Sequence, residues 1–101
     1  MDIKSSREGD RLSVWLSGDF CAECVPATEA FFNGNLAGVK NLKVDFGGVS
    51  RLTKEGLMLL LSVRKKLAGA AMSLVNVGAE LYERLEEQGI ATLMDVRRRA
   101  E

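Results

Sequence analysis

The sequence predicts a single α/β domain: a mixed, mostly parallel sheet of four to five strands with helices packed on it. Three observations carry this. Two strand-like segments flank the turn signal Glu8-Gly9-Asp10 near the start. From there strand patterns alternate with helix patterns, which calls for crossover connections and parallel pairing. Finally, 101 residues that are 47% hydrophobic suffice for one core and show no sign of a second.

The elements follow in order. Ile3–Arg7 is a weak strand pattern, and Leu12–Ser17 begins with apolar-polar alternation and reads as its hairpin partner. Gly18-Asp19 is expected to break that strand. Val25 to about Phe32 reads as a short helix with Pro26 in its first turn, weakened or ended by Asn33-Gly34-Asn35. Leu42–Phe46 is a compact strand, with Leu42, Val44 and Phe46 on one face and Gly47-Gly48 expected as the following turn. Thr53–Leu67 is the best helix, with Leu57, Leu60, Leu61 and Leu67 spaced for a buried stripe. Arg64, Lys65 and Lys66 lie near its C-terminal end, where the dipole favours cations. Met72–Val77 is a further strand. Ala79–Gln88 is a second good helix, closed by Gly89. Ile90–Met94 reads as a short final strand or a turn, and residues 96–101 as a polar tail.

Bulk properties exclude several classes. Fourteen basic residues balance fourteen acidic ones, so neither broad nucleic-acid binding nor recruitment to an anionic membrane is expected. The longest apolar run, Leu57–Leu61, is far short of the roughly 20 residues of a membrane span. The first ten residues carry five charges and no secretory h-region, which points to the cytoplasm. Histidine is absent, which removes the commonest general base and the Ser-His and Cys-His nucleophile pairs. Neither paired carboxylates at catalytic spacing nor a phosphate-binding loop is present, and no enzyme, cofactor or metal site is read.

The most informative stretch runs from Val44 to Leu57, where a strand ends and a helix opens on the exposed triplet Thr53-Lys54-Glu55. Sites in open α/β sheets collect outside the carboxyl ends of strands. Thr53 is a candidate N-cap, worth about 1 kcal/mol. Gly56 in the first turn costs about 1 kcal/mol of helix propensity, so the close approach of another backbone or a partner is expected there. The competing reading is an ordinary capped helix on a loop.

Here the chain resembles the STAS domain, the fold of bacterial anti-sigma factor antagonists and sulfate-transporter tails. Leu16-Ser17-Gly18-Asp19-Phe20 is similar to that family's Leu-x-Gly-x-Leu/Phe strand ending. The run from Val44 to Leu57 is similar to its Leu-Asp-Leu-Ser-Gly-Val-x-x-Ile/Leu-Asp-Ser-Ser-Gly-Leu segment. Leu74–Gly78 looks like its fourth strand, and Leu81–Leu93 like its last helix and closing segment. The resemblance spans residues 1–95 and leaves 96–101 as the tail. It implies a non-catalytic module that docks another protein through Ser50, Thr53, Lys54, Glu55, Gly56 and Leu57. The implied partner is an anti-sigma factor or a kinase-like protein. The alternative is an accessory subunit of an ABC-type phospholipid or toluene transport complex, bound to its ATPase. The oligomeric state, homodimer included, stays open.

The chain departs from the family where the family is phosphorylated. Thr53 stands in the Asp position, Lys54 in the phosphoacceptor position, and Glu55 before the matching Gly56. Lys54 has no hydroxyl, so a serine-kinase switch cannot act there. A helix N-terminus favours anions, so Lys54 is disfavoured by about 0.3–1 kcal/mol while Glu55 is favoured. A fixed, mixed-charge docking surface is expected in place of a switch.

Cys21-Ala22-Glu23-Cys24 is the second constellation. Its functional readings are a redox dithiol or half of a zinc site. Flanking Asp19 and Glu23 argue against a reactive thiolate, and the bland reading is two small, partly buried residues at a strand end. Trp15 reads as sheet-face or core packing, and Phe31-Phe32 as straddling a helix with one ring in the core. Asp45 needs a partner if buried.

Overall fold

The computed structural model describes residues 1–67 and 69–99. Strand β1 (Asp2–Glu8) turns into β2 (Arg11–Phe20), and the two pair antiparallel from Asp2↔Ser17 to Glu8↔Arg11. A short 3-10 turn at Ala22–Cys24 leads into α1 (Val25–Asn35), then β3 (Asn41–Leu52), α2 (Lys54–Lys66), β4 (Ala71–Val77) and α3 (Ala79–Glu87). A second 3-10 turn, Ile90–Thr92, precedes β5 (Asp95–Arg98). The sheet order is β1-β2-β3-β4-β5, parallel after the first pair. This is the mixed, mostly parallel sheet expected from the alternation of patterns.

Each crossover steps one strand in the same direction, and right-handed crossovers of that kind put all three helices on one face. The burial pattern agrees. Leu12, Val14 and Leu16 of β2, Leu42, Val44 and Phe46 of β3, and Met72 and Leu74 of β4 are buried. Against them pack Phe32 of α1, Leu60 and Val63 of α2, and Leu85 of α3. The other face carries Lys4, Trp15, Asp45 and Val75 side by side across β1 to β4. Trp15 is accordingly 42% exposed and belongs to the sheet face, not the core. Phe32 is buried and Phe31 half-buried, their rings edge-to-face at 5.4 Å.

Four local expectations are corrected. Strand β2 does not break at Gly18 but runs through it to Phe20, because Gly18 sits at φ +97°, where only glycine is at ease. Gly47-Gly48 is no turn; both lie inside β3. The register shows why: Trp15↔Asp45 is followed by Ser17↔Gly48, and Gly18↔Val49 by Asp19↔Arg51, so β3 inserts two extra residues against β2. A Cβ on Gly48 would sit 2.6 Å from the Ser17 Cβ, and glycine at this bulge admits the neighbouring strand. Helix α1 continues past Asn33-Gly34 to Asn35. Ile90–Met94 holds a 3-10 turn, and the last strand comes later, taking in Val96–Arg98 from the stretch read as a tail. Residues 100–101 of that tail lie outside the described residues.

Candidate functional site

Strand β3 pairs with β4 only from Asn41↔Ala71 to Asp45↔Val75. Beyond Asp45 the bulged half of β3 follows β2, while β4 runs on to Gly78 and α3. A hollow of about 570 Å³ opens between them, lined by Val49–Leu52 on one side and Gly78–Leu81, Arg84 and Arg99 on the other. A second hollow of about 360 Å³ shares Leu52, Leu81 and Arg84 with it and continues past Lys54 and Leu57 to Gln88. Together they form one cleft outside the carboxyl ends of β3 and β4, where open α/β sheets place their sites.

The parting of the strands is held open by polar contacts. Half-buried Asp45 finds its partners here: its Oδ1 accepts from the Gly47 N–H at 2.7 Å and from Asn76 Nδ2 at 3.3 Å. Asn76 itself stands in the left-handed region at φ 58°, which asparagine tolerates better than most residues. Arg99 bridges the gap, its N–H donating to the Val77 carbonyl at 2.7 Å and its guanidinium to the Gly47 carbonyl at 2.9 Å. Arg84 donates to the Leu52 carbonyl at 3.0 Å from α3. The Ser50 hydroxyl donates to Asp19 Oδ1 at 2.8 Å, tying the bulged strand to β2.

Thr53 caps α2. Its backbone N–H and its Oγ1 both donate to the Phe20 carbonyl, at 2.9 and 3.2 Å, and Oγ1 accepts from the Gly56 N–H at 3.4 Å. Lys54, the first residue of the helix, and Glu55 are exposed. The six residues singled out from the sequence therefore separate. Ser50, Lys54 and Leu57 line the cleft. Glu55 lies on the other side of α2, beside Val25 and Glu29 of α1. Thr53 is occupied in holding the fold. Gly56 is buried, and the backbone that approaches it is this chain's own: an added Cβ would lie 2.9 Å from the Phe20 carbonyl oxygen and 2.8 Å from its ring. The glycine is explained by packing, so it offers a partner no surface.

Sequence reasoning missed the opposite wall. Leu81 and Arg84 lie one turn apart on α3 and face the cleft together. Arg99, read as part of a solvated tail, closes one end. The cleft thus carries Arg51, Lys54, Arg84 and Arg99 against Glu80.

Behind the cleft, Cys21 and Cys24 are free, half-buried thiols with sulfurs 3.5 Å apart. Cys24 Sγ also donates to the Asp19 carbonyl at 3.1 Å. Hydrogen bonds from the Cys21 backbone and then the Cys21 thiol hold the Cys24 thiol below its ordinary pKa, outweighing the opposing effect of desolvation. Among the described residues no group of three or more His, Cys, Asp or Glu side chains is placed to hold a metal ion.

No protein-family model and no curated protein sequence matches the chain, so its likeness to known proteins lies in the fold. An anti-sigma factor antagonist from Mycobacterium paratuberculosis superposes with a TM-score of 0.85 at 19% identity, over 95% of this chain and 84% of that one. An anti-sigma-factor antagonist (STAS) domain protein from Planctomyces limnophilus gives 0.81 at 16% identity, over 97% and 91%. The fold is that of the STAS domains. A sulfate transporter family protein from Wolinella succinogenes gives 0.72 at 16% identity, over 84% of this chain and 74% of that one. The STAS fold expected from the order of the motifs is thereby found, and among the described residues no helix is long and apolar enough to cross a membrane.

Proposed function

We propose that this STAS-fold chain is a non-catalytic docking module whose partner binds in the cleft between the start of α2 and α3. The observation that carries the reading is the cleft itself. It has an apolar floor of Leu52, Leu57 and Leu81 and a rim in which Arg51, Lys54, Arg84 and Arg99 outnumber Glu80. Apolar anchors inside a charged rim are what protein interfaces use, and the excess of cations suits a partner segment bearing carboxylates. Likeness in fold to anti-sigma factor antagonists supports an anti-sigma factor or kinase-like partner, met in the cytoplasm. Lys54, in the position that the family phosphorylates, leaves binding constitutive with respect to a serine kinase.

A second reading has two observations in its favour. A fixed cation at position 54 suits a permanent subunit, and the fold is also similar to that of a sulfate transporter family protein. In that reading the cleft binds the ATPase subunit of an ABC-type phospholipid transport complex.

Photocrosslinking in the native cell tests the docking site. A photoreactive residue at position 54 is expected to yield a discrete protein adduct, and one at position 4, on the helix-free face, none. Equal adducts from both positions, or none from 54, would remove the cleft as the docking site. Whether the adduct is a transport ATPase or a kinase-like regulator decides between the two readings.

A further inference from the structure

The dithiol behind β2 is built by local geometry. The Cys24 N–H donates to the Cys21 carbonyl at 3.0 Å and closes the 3-10 turn Ala22–Cys24. Cys21 is the extended N-cap of that turn and Cys24 its last residue, and their side chains meet on the same side. A rise of about 2.0 Å per residue puts their Cα atoms about 6 Å apart, inside the range of about 4.4–6.8 Å that a disulfide accepts. The sulfurs already stand 3.5 Å apart, and one thiol donates to the other. Both thiols are half-buried, so a small reagent can reach them.

We propose that Cys21 and Cys24 are a reversible redox pair, oxidised to an intrachain disulfide by low-molecular-weight disulfides of the glutathione type. The Cys24 thiolate attacks one sulfur of the reagent disulfide. That S–S bond breaks, a mixed disulfide forms on Cys24, and one reagent thiolate leaves. Cys21, giving up its proton to water, then attacks Cys24 Sγ and expels the second thiolate. The protein loses two protons and two electrons, and the reagent gains both as two thiols. Reversal by excess thiol follows the same path. Cys24 is the attacking sulfur because hydrogen bonds from Cys21 favour its thiolate. The proposal is independent of the docking role, since it concerns only the turn between β2 and α1.

Intact mass spectrometry of the purified full chain tests it. Reduced protein is equilibrated in glutathione buffers of graded ratio, quenched in acid, alkylated and weighed. A species lighter by two hydrogens is expected, with a single midpoint and full reversal by reduced glutathione. Cys21→Ser is expected to stop at one glutathione adduct on Cys24. Cys24→Ser should take up glutathione several-fold more slowly. Phenylarsine oxide, which bridges paired thiols without any oxidation, is expected to bind wild-type protein one to one. That measurement needs no variant. Wild-type protein that stays fully reduced, that accumulates glutathione adducts without losing two hydrogens, or that ignores the arsenical would overturn the proposal.

Discussion

The Phe20 carbonyl accepts two hydrogen bonds from Thr53, one from its backbone N–H at 2.9 Å and one from its hydroxyl at 3.2 Å. One residue thus fixes the end of β2 against the start of α2 and orients the helix that carries Lys54. The cap to the Gly56 N–H, at 3.4 Å, is the weaker of the hydroxyl's contacts. Thr53→Val keeps the side-chain shape and removes both hydroxyl contacts. It should cost about 1–2 kcal/mol in urea unfolding, and Thr53→Ser much less. No loss in the valine variant would mean that the hydroxyl does not hold this junction.

Gly56→Ala sets two effects against each other. Helix propensity gains about 1 kcal/mol. The added methyl meets the Phe20 carbonyl and ring and the Leu52 side chain at 2.8 to 3.0 Å, and a backbone carbonyl cannot yield cheaply. Overpacking of this kind costs about 1–3 kcal/mol, so sterics win and the variant should be net destabilised, by up to about 2 kcal/mol, in chemical denaturation. A stabilised variant would show that β2 and α2 can separate freely.

Asn76 is placed by two demands, a left-handed backbone and a side-chain bond to Asp45. Asn76→Ala fails both and should lose about 1–2 kcal/mol of stability. Asn76→Gly fails only the second and should lose less. Equal losses in thermal unfolding would show that the backbone demand is negligible.

The Cys24 thiol offers a pH test. Its pKa is lowered in the folded chain by hydrogen bonds from Cys21, so the thiolate persists to lower pH folded than unfolded. The midpoint of its alkylation rate against pH should lie lower in native protein than in urea, even where access slows the absolute rate. A depressed pKa in an acid group also means that this small contribution to stability is present above the unfolded pKa and fades as pH falls through the folded one. Coincident midpoints in the two states would remove the effect.

Much of the sheet was legible because its signals are local. Leu12, Val14 and Leu16, like Leu42, Val44 and Phe46, alternate with more polar or exposed neighbours, and the same residues are buried. The stripe of α2 was legible at Leu60 and Leu67 but incomplete, since Leu59 and Val63 are buried too. Gly47-Gly48 was misread because a glycine pair signals a turn as readily as a bulge. The choice is made by Ser17 on the neighbouring strand, which no local pattern reports. Strand β5 was missed because a short edge strand is studded with charge, and Val96 is its one half-buried residue. The near wall of the cleft could be read from Ser50 to Leu57. The far wall could not, because Leu81, Arg84 and Arg99 come to it only through the parting of β3 and β4.

Charge reversal at Lys54 tests the docking cleft most directly. Lys54→Glu places an anion at a helix N-terminus, which should stabilise the fold by about 0.3–1 kcal/mol, so lost binding cannot be blamed on unfolding. Tagged wild-type, Lys54→Glu and Lys4→Glu chains are expressed at equal levels in the native cell, captured, and their bound proteins quantified. One partner is expected to be retained by wild type and Lys4→Glu and depleted about tenfold or more by Lys54→Glu, a change of about 1.4 kcal/mol. The same partner captured equally by wild type and Lys54→Glu would contradict docking in the cleft.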